Sequence, residues 1–219
     1  EIILIGISVG IQIVTSNTWN ISKNEWYKYF GICFSILCFF VMLHVIFYSE
    51  KYAVSGDPND LSYVFDLYES TVRAFAITIF VHFSHKGLEA KRYFKIFMLI
   101  PVILVVFVII NRVPPIFIRG NNPYNSIGQA LIILLCFMNL IILYLRRKAI
   151  KRDAVFHLVI STVLAILTEL MVVLNIEHNN ISMIISHYCK VLSVFLMYKL
   201  IVNHILREPV QYLNESLLK

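Results

Sequence analysis

The stretch "GICFSILCFFVMLHVIFY", residues 31 to 48, runs for eighteen residues without Asp, Glu, Lys or Arg. A helix rising ~1.5 Å per residue needs about this length to cross ~30 Å of bilayer hydrocarbon. Backbone amides in lipid must be satisfied internally, so only helices or a closed barrel can be built there. The apolar runs lack the period-two alternation of lipid-facing strands, and seven glycines and six prolines give few turns for an eight-stranded barrel. Helices are therefore predicted at roughly 26 to 48, 61 to 84, 94 to 111, 124 to 145, 153 to 175 and 183 to 205, with a shorter apolar stretch from Glu1 to about Thr18. A composition of 59% hydrophobic and 15% charged residues, with mean hydropathy +0.77, places the chain outside the soluble range. The expected fold is an all-α integral membrane bundle of seven transmembrane helices, with the lipid bilayer as its first partner.

Charge position sets the expected orientation. Lys23 and Lys28 follow the first span, Lys86, Lys91, Arg92 and Lys95 the third, and Arg146, Arg147, Lys148, Lys151 and Arg152 the fifth. The alternate connections hold Lys51, Arg112 and Arg119. Eleven against three in strict alternation is a positive-inside pattern, which puts the N-terminus outside and the C-terminus in the cytoplasm. The net charge of +6 is thus a topology signal, and no nucleic-acid partner is implied. Cys33, Cys38, Cys136 and Cys189 have no zinc-motif spacing and read as small fillers of the core. No signal-peptide pattern precedes the first apolar stretch, and Glu1 reads as a position inside a helix.

Two segments follow from this reading: a membrane domain over residues 1–206 and a cytoplasmic connector over residues 207–219. Pro209 predicts a break or bend at the membrane surface. Beyond it Val210, Leu213 and Leu217 form one apolar stripe, a surface helix or the start of a coiled connector leading to an output domain.

The chemistry is concentrated inside the spans. Counted from the predicted outer ends, His44, His187, Glu169, Lys190 and Glu69 lie about four to nine residues in, a layer only ~6 to 14 Å deep. Asp66 is close to that layer and Arg73 is deeper; Gln129, with Tyr124 and Asn125, could bring the fifth span into it. Charges at this depth cost at least ~2.5 kcal/mol each unless they are paired or face the bundle interior. Asp66, Glu69 and Arg73 share one helix face, with Glu69 and Arg73 in the better order for an i,i+4 pair. Glu169 is the expected partner of Lys190, because spans six and seven are joined by a short loop. Asp66 is then left over, protonated, reaching water or holding a ligand. The candidate ligand-binding set is His44, Asp66, Glu69, Arg73, Glu169, His187 and Lys190; the same groups would also serve as a purely structural network. No nucleotide-binding, hydrolase or metalloprotease motif is present, so no cofactor or catalytic residue is specified.

The segment from Asp153 to Leu213 resembles the closing third of the third class of membrane-associated sensor domain, the MASE type. The resemblance rests on Glu169-Leu170, on the series His187, Lys190 and Tyr198, and on Arg207-Glu208-Pro209. "GICFSILCFFVMLHVIFY" is similar to that family's second span, with His44 and Tyr48 at matching places, and Glu1 falls where the family carries a Glu. Arg73 lies later than the family's arginine, and Val210 replaces an aromatic residue.

The resemblance implies a non-enzymatic sensory input domain in a bacterial cytoplasmic membrane. It would act on a cytoplasmic histidine kinase or diguanylate cyclase, bind an unspecified small molecule, and form a homodimer through the full-length protein. Two other readings start from the residues alone. Lys190 could carry a retinal-type chromophore with Asp66 or Glu69 as counter-ion. His44 and His187, with Glu169, could hold a metal or haem. The absence of an inverted repeat argues against a transporter.

Overall fold

Helix faces that would be a liability in water cover the outside of the molecule. In the computed structural model, Ile32, Phe39 and Met42, then Leu131, Leu134, Phe137 and Ile141, then Ile184, Tyr188, Leu192 and Phe195 are exposed. Such patches are at home against lipid tails, which are as apolar as the side chains themselves. The structure describes residues 1–22, 25–49, 61–83, 99, 103, 106, 127–148, 150, 152–173 and 180–217. They form α1 (Ile2–Ser22), α2 (Glu25–Ser49), α3 (Leu61–Phe83), α4 (Ile127–Arg146), α5 (Arg152–Val173) and α6 (Asn180–Leu217).

Five of these are long and apolar enough to cross a membrane. The sixth, α3, has a similar length of 23 residues but carries Asp66, Glu69 and Arg73. The all-α multi-pass membrane class therefore stands, and the described helices coincide with six of the seven expected spans. The remaining one, at 94 to 111, falls largely outside the described residues; Leu99, Ile103 and Val106 within it are helical and exposed.

Of the break or bend expected at Pro209, the break does not occur: α6 runs through it to Leu217, 38 residues in all. A proline removes one backbone donor and crowds the carbonyl four residues earlier, which a helix can absorb by bending without ending.

The described helices pack in chain order around a ring, each against the next, with α6 returning to α1 and α3 also touching α5. The most extensive contacts unite α1, α2 and α3 in one group and α5 with α6 in another. Aromatic pairs set the register of α2 on α3: Phe47 on Phe65 at 5.2 Å, Phe40 on Tyr68 at 5.3 Å and Phe30 on Phe80 at 5.9 Å between ring centroids. Numbers falling on α2 while rising on α3 fix an antiparallel pair. Where α1 meets α2, a Cβ on Gly31 would lie 2.7 Å from Thr15 Oγ1, so the backbones approach as closely as glycine allows.

Several hydroxyls inside the helices are satisfied within their own helix. Ser8, Thr15, Thr71 and Thr162 donate to the carbonyls of Leu4, Ile11, Leu67 and Leu158, each four residues back, at 2.7–2.8 Å. Cys33, Cys38 and Cys136 are buried as expected of core fillers, whereas Cys189 is half-buried.

Candidate functional site

Between α5 and α6 the polar contacts are made by serines. Ser161 Oγ donates to the Ser193 carbonyl at 3.0 Å, Ser193 Oγ donates to the Ser161 carbonyl at 2.9 Å, and the two hydroxyl oxygens are 3.0 Å apart. About two turns away Ser186 Oγ donates to the Thr168 carbonyl at 3.3 Å. The charged groups on these helices turn elsewhere.

Lys190, 1% exposed on α6, reaches across the ring to α3. Its Nζ contacts Asp66 Oδ1, lies 3.0 Å from Glu69 Oε2 and is 3.8 Å from Oε1 of Glu1 at the head of α1. An ammonium has three donors and no acceptor, and here three carboxylates from two helices converge on it. His187, one turn before Lys190, places Nδ1 2.7 Å from the same Glu1 Oε1. The His187 ring stands 6.4 Å from the ring of His44 on α2, centroid to centroid. On the far side of Glu69, Arg73 donates from Nη2 to Glu169 Oε1 on α5 and to Ser70 Oγ, both at 3.2 Å. Asn139 on α4 joins the same region by donating from Nδ2 to the Ala74 carbonyl at 3.4 Å.

All seven residues anticipated from the sequence thus lie in one layer, but the pairing is corrected. Glu169 meets Arg73, not Lys190, and Glu69 meets Lys190, not Arg73. Asp66, expected to be left over, is held by Lys190. The physical reason is charge accounting in a low dielectric. The expected pairs would strand one carboxylate, whereas this arrangement puts a cation beside each acid, and an uncompensated buried charge is the more costly outcome. Asp66 and Glu69 beside Lys190 is the pairing that the chromophore reading supposes. Glu169 is occupied by Arg73 rather than by the histidines, and among the described residues no three His, Cys, Asp or Glu side chains gather as metal ligands.

Further participants lie outside the anticipated set. Glu1 is signalled only by the family resemblance, and its place at the head of an apolar stretch gives no depth to compare. Ser70, Asn139 and the Ser161–Ser193 pair have a weak signal, small polar residues within apolar spans, which favour helix–helix contacts. Gln129 is buried on α4, while Tyr124 and Asn125 lie outside the described residues.

Exposure is graded through the layer. The side chains of His187, Asp66 and Glu1 are 38%, 20% and 17% exposed, against 1% for Lys190, 0% for Glu69, 2% for Arg73 and 4% for Glu169. One edge of the layer is therefore open and the other sealed. Among the described residues, Glu69 Oε1, Arg73 Nε and Nη1 and Asn139 Oδ1 make no hydrogen bond. Buried groups of this kind ordinarily find a partner.

An all-helical, multi-pass membrane protein with an ionic layer inside its helix bundle is the class that fold and site define. The family model of the membrane-associated sensor domain MASE3 matches residues 1–209, and the chain belongs to that family. No curated protein and no solved structure matches it.

Proposed function

We propose that this chain is the sensory input domain of a bacterial signal-transduction protein, responding to a small ligand or stimulus at the layer around Lys190 and passing the response to a cytoplasmic kinase or diguanylate cyclase. The observation that carries this reading is the placement of Lys190. It holds α6 to α3 and α1, and α6 is the same helix that runs on to Leu217. A change in the charge or occupancy of the layer alters what holds α6, and a helix of 38 residues, about 57 Å long, carries that change out of the membrane. The donors and acceptors on Glu69, Arg73 and Asn139 that make no hydrogen bond among the described residues are where a small polar ligand would attach.

The orientation belongs to the same proposal, with seven helices, the N-terminus outside and the C-terminus in the cytoplasm of a bacterial inner membrane. Lys28, Arg147, Lys148 and Arg152 lie at the end of the bundle opposite the ionic layer, with Lys28 over Trp19 at 5.1 Å and Arg147 over Tyr144 at 4.4 Å. Cationic side chains over aromatic rings at one end suit a cytoplasmic interface, and this leaves the open edge of the layer facing outward.

The test uses the full-length protein in membranes, reading kinase or cyclase output in Lys190→Met and Glu169→Gln. Output per folded molecule is expected to shift by roughly 5- to 150-fold from wild type, the range of ordinary coupling free energies. Unchanged output from well-folded variants would reduce the layer to a structural network.

A further inference from the structure

We propose that the proton is the ligand of this layer, taken up at the open edge by the His187–Glu1 pair together with His44, and that its binding holds α6 against α1 and α3. This deepens the sensory reading and rests on it. Among the described residues, the charged and titratable groups facing the pair are Glu1 from α1, His44 from α2, Asp66, Glu69 and Arg73 from α3, Glu169 from α5, and Lys190 with His187 itself from α6. On α4 the nearby polar contribution is the uncharged Asn139. Four carboxylates, Glu1, Asp66, Glu69 and Glu169, thus stand against two permanent cations, Lys190 and Arg73. The difference of two negative charges equals the number of histidines present.

With both imidazoles neutral the layer is short of positive charge, and the shortage falls on the side of Glu1, Asp66 and Glu69, because Arg73 balances Glu169 one to one. Lys190 alone then faces three carboxylates. Protonating His187 places a cation 2.7 Å from Glu1 Oε1, and protonating His44 adds another 6.4 Å from the His187 ring, so that the account closes. Glu69 gives a separate indication. It is fully buried, and its Oε1 has no hydrogen-bond partner among the described residues, so the acid side of the layer also has acceptor capacity to spare.

The gradient of exposure supplies the route. His187, at 38%, is the most exposed member and touches Glu1; Lys190 and Glu69 lie behind them, sealed. A proton arriving from water meets the imidazole first. Imidazole is also the side chain whose ordinary protonation falls between about pH 5 and 8.

The mechanical consequence follows from which helices the ion pairs join. Each pair described here links the α1–α3 group to the α5–α6 group: Glu1 to His187 and Lys190, Asp66 and Glu69 to Lys190, Arg73 to Glu169. Loss of the His187 proton as the pH rises removes the Glu1–His187 ion pair, one of the ties across that boundary, and loosens it. Gain of protons as the pH falls draws it together.

The experiment is a spin-label distance measurement in the full-length protein reconstituted in lipid vesicles. Labels replace Met42 on α2 and Leu192 on α6, both lipid-facing, in a background where the native cysteines are alanine. From pH 5 to 8.5 the distance is expected to lengthen. The transition is expected to shift by about one pH unit or more in His187→Gln and to vanish in His44→Gln/His187→Gln. One unchanged distance at both ends of the range, with the helices intact, overturns the proposal, as does an unaltered transition in the double variant. Failure here is separable from failure of the sensory reading: output that responds to Lys190→Met but not to external pH would discard the proton and keep the sensor.

Discussion

Arg73 ignores the carboxylate one turn away on its own helix and bonds instead to Glu169, ninety-six residues further along the chain, at 3.2 Å. An i,i+4 pair on α3 would have satisfied Arg73 and Glu69 and nothing else. By reaching to α5, Arg73 leaves Glu69 to Lys190 and ties two groups of helices together.

Removing either partner should therefore be worse than removing both. Arg73→Met or Glu169→Leu alone leaves a buried charge uncompensated and is expected to lower stability by about 3–5 kcal/mol, whereas the double variant should recover most of that loss. Reversible denaturation of the purified protein in detergent, run as a double-mutant cycle, measures the difference. Additive losses would show that the pair is not coupled.

Lys190→Met should be more damaging than any single acid substitution in the layer, since it turns three carboxylates loose on one another. A loss of at least about 3 kcal/mol is expected, with poor recovery of monodisperse protein. Adding Asp66→Asn and Glu69→Gln should restore recovery, as judged by size-exclusion chromatography.

Two glycines in neighbouring helices should respond in opposite directions. At Gly31 a Cβ would meet Thr15 Oγ1 at 2.7 Å, and that hydroxyl is already bonded to the Ile11 carbonyl, so Gly31→Ala should cost about 1–3 kcal/mol. At Gly6 an added methyl would find nothing within 4 Å, so Gly6→Ala should gain up to about 1 kcal/mol from helix propensity. Thermal unfolding of the two variants beside wild type gives both signs.

Ser161→Ala and Ser193→Ala should each be mild, and the pair should be coupled by about 0.6 kcal/mol, at most about 1.7, as interhelical hydrogen bonds in membranes generally are. A double-mutant cycle by the same denaturation assay reads the coupling directly.

The helices and the layer were legible in the sequence because both depend on position along the membrane normal. Apolar length marks a span, and counting inward from its ends gives each charge a depth; His44, Asp66, Glu69, Glu169, His187 and Lys190 stand out in this way. Pairing was not legible, because depth says nothing about which way a side chain faces around its helix or which helix lies across from it. The inference that α5 and α6 are neighbours was correct, yet their interface is filled by Ser161, Ser193 and Ser186, and the ions between them face inward to α3 and α1. Glu1 escapes for a related reason: it stands at the edge of an apolar stretch, which gives its span no internal depth to compare.

The reciprocal grip of Ser161 and Ser193 restricts the kind of signal α6 can carry. Each hydroxyl holds the other helix's carbonyl, so a turn of α6 by one residue, about 100°, would swing Ser193 out of reach of α5. Torsion of α6 against α5 is thereby disfavoured, and the easier motion is for α5 and α6 to tilt or slide as one bar. A connector beyond Leu217 that is read by which face it presents would keep the same face forward in both states, and the message it delivers would be one of height and angle.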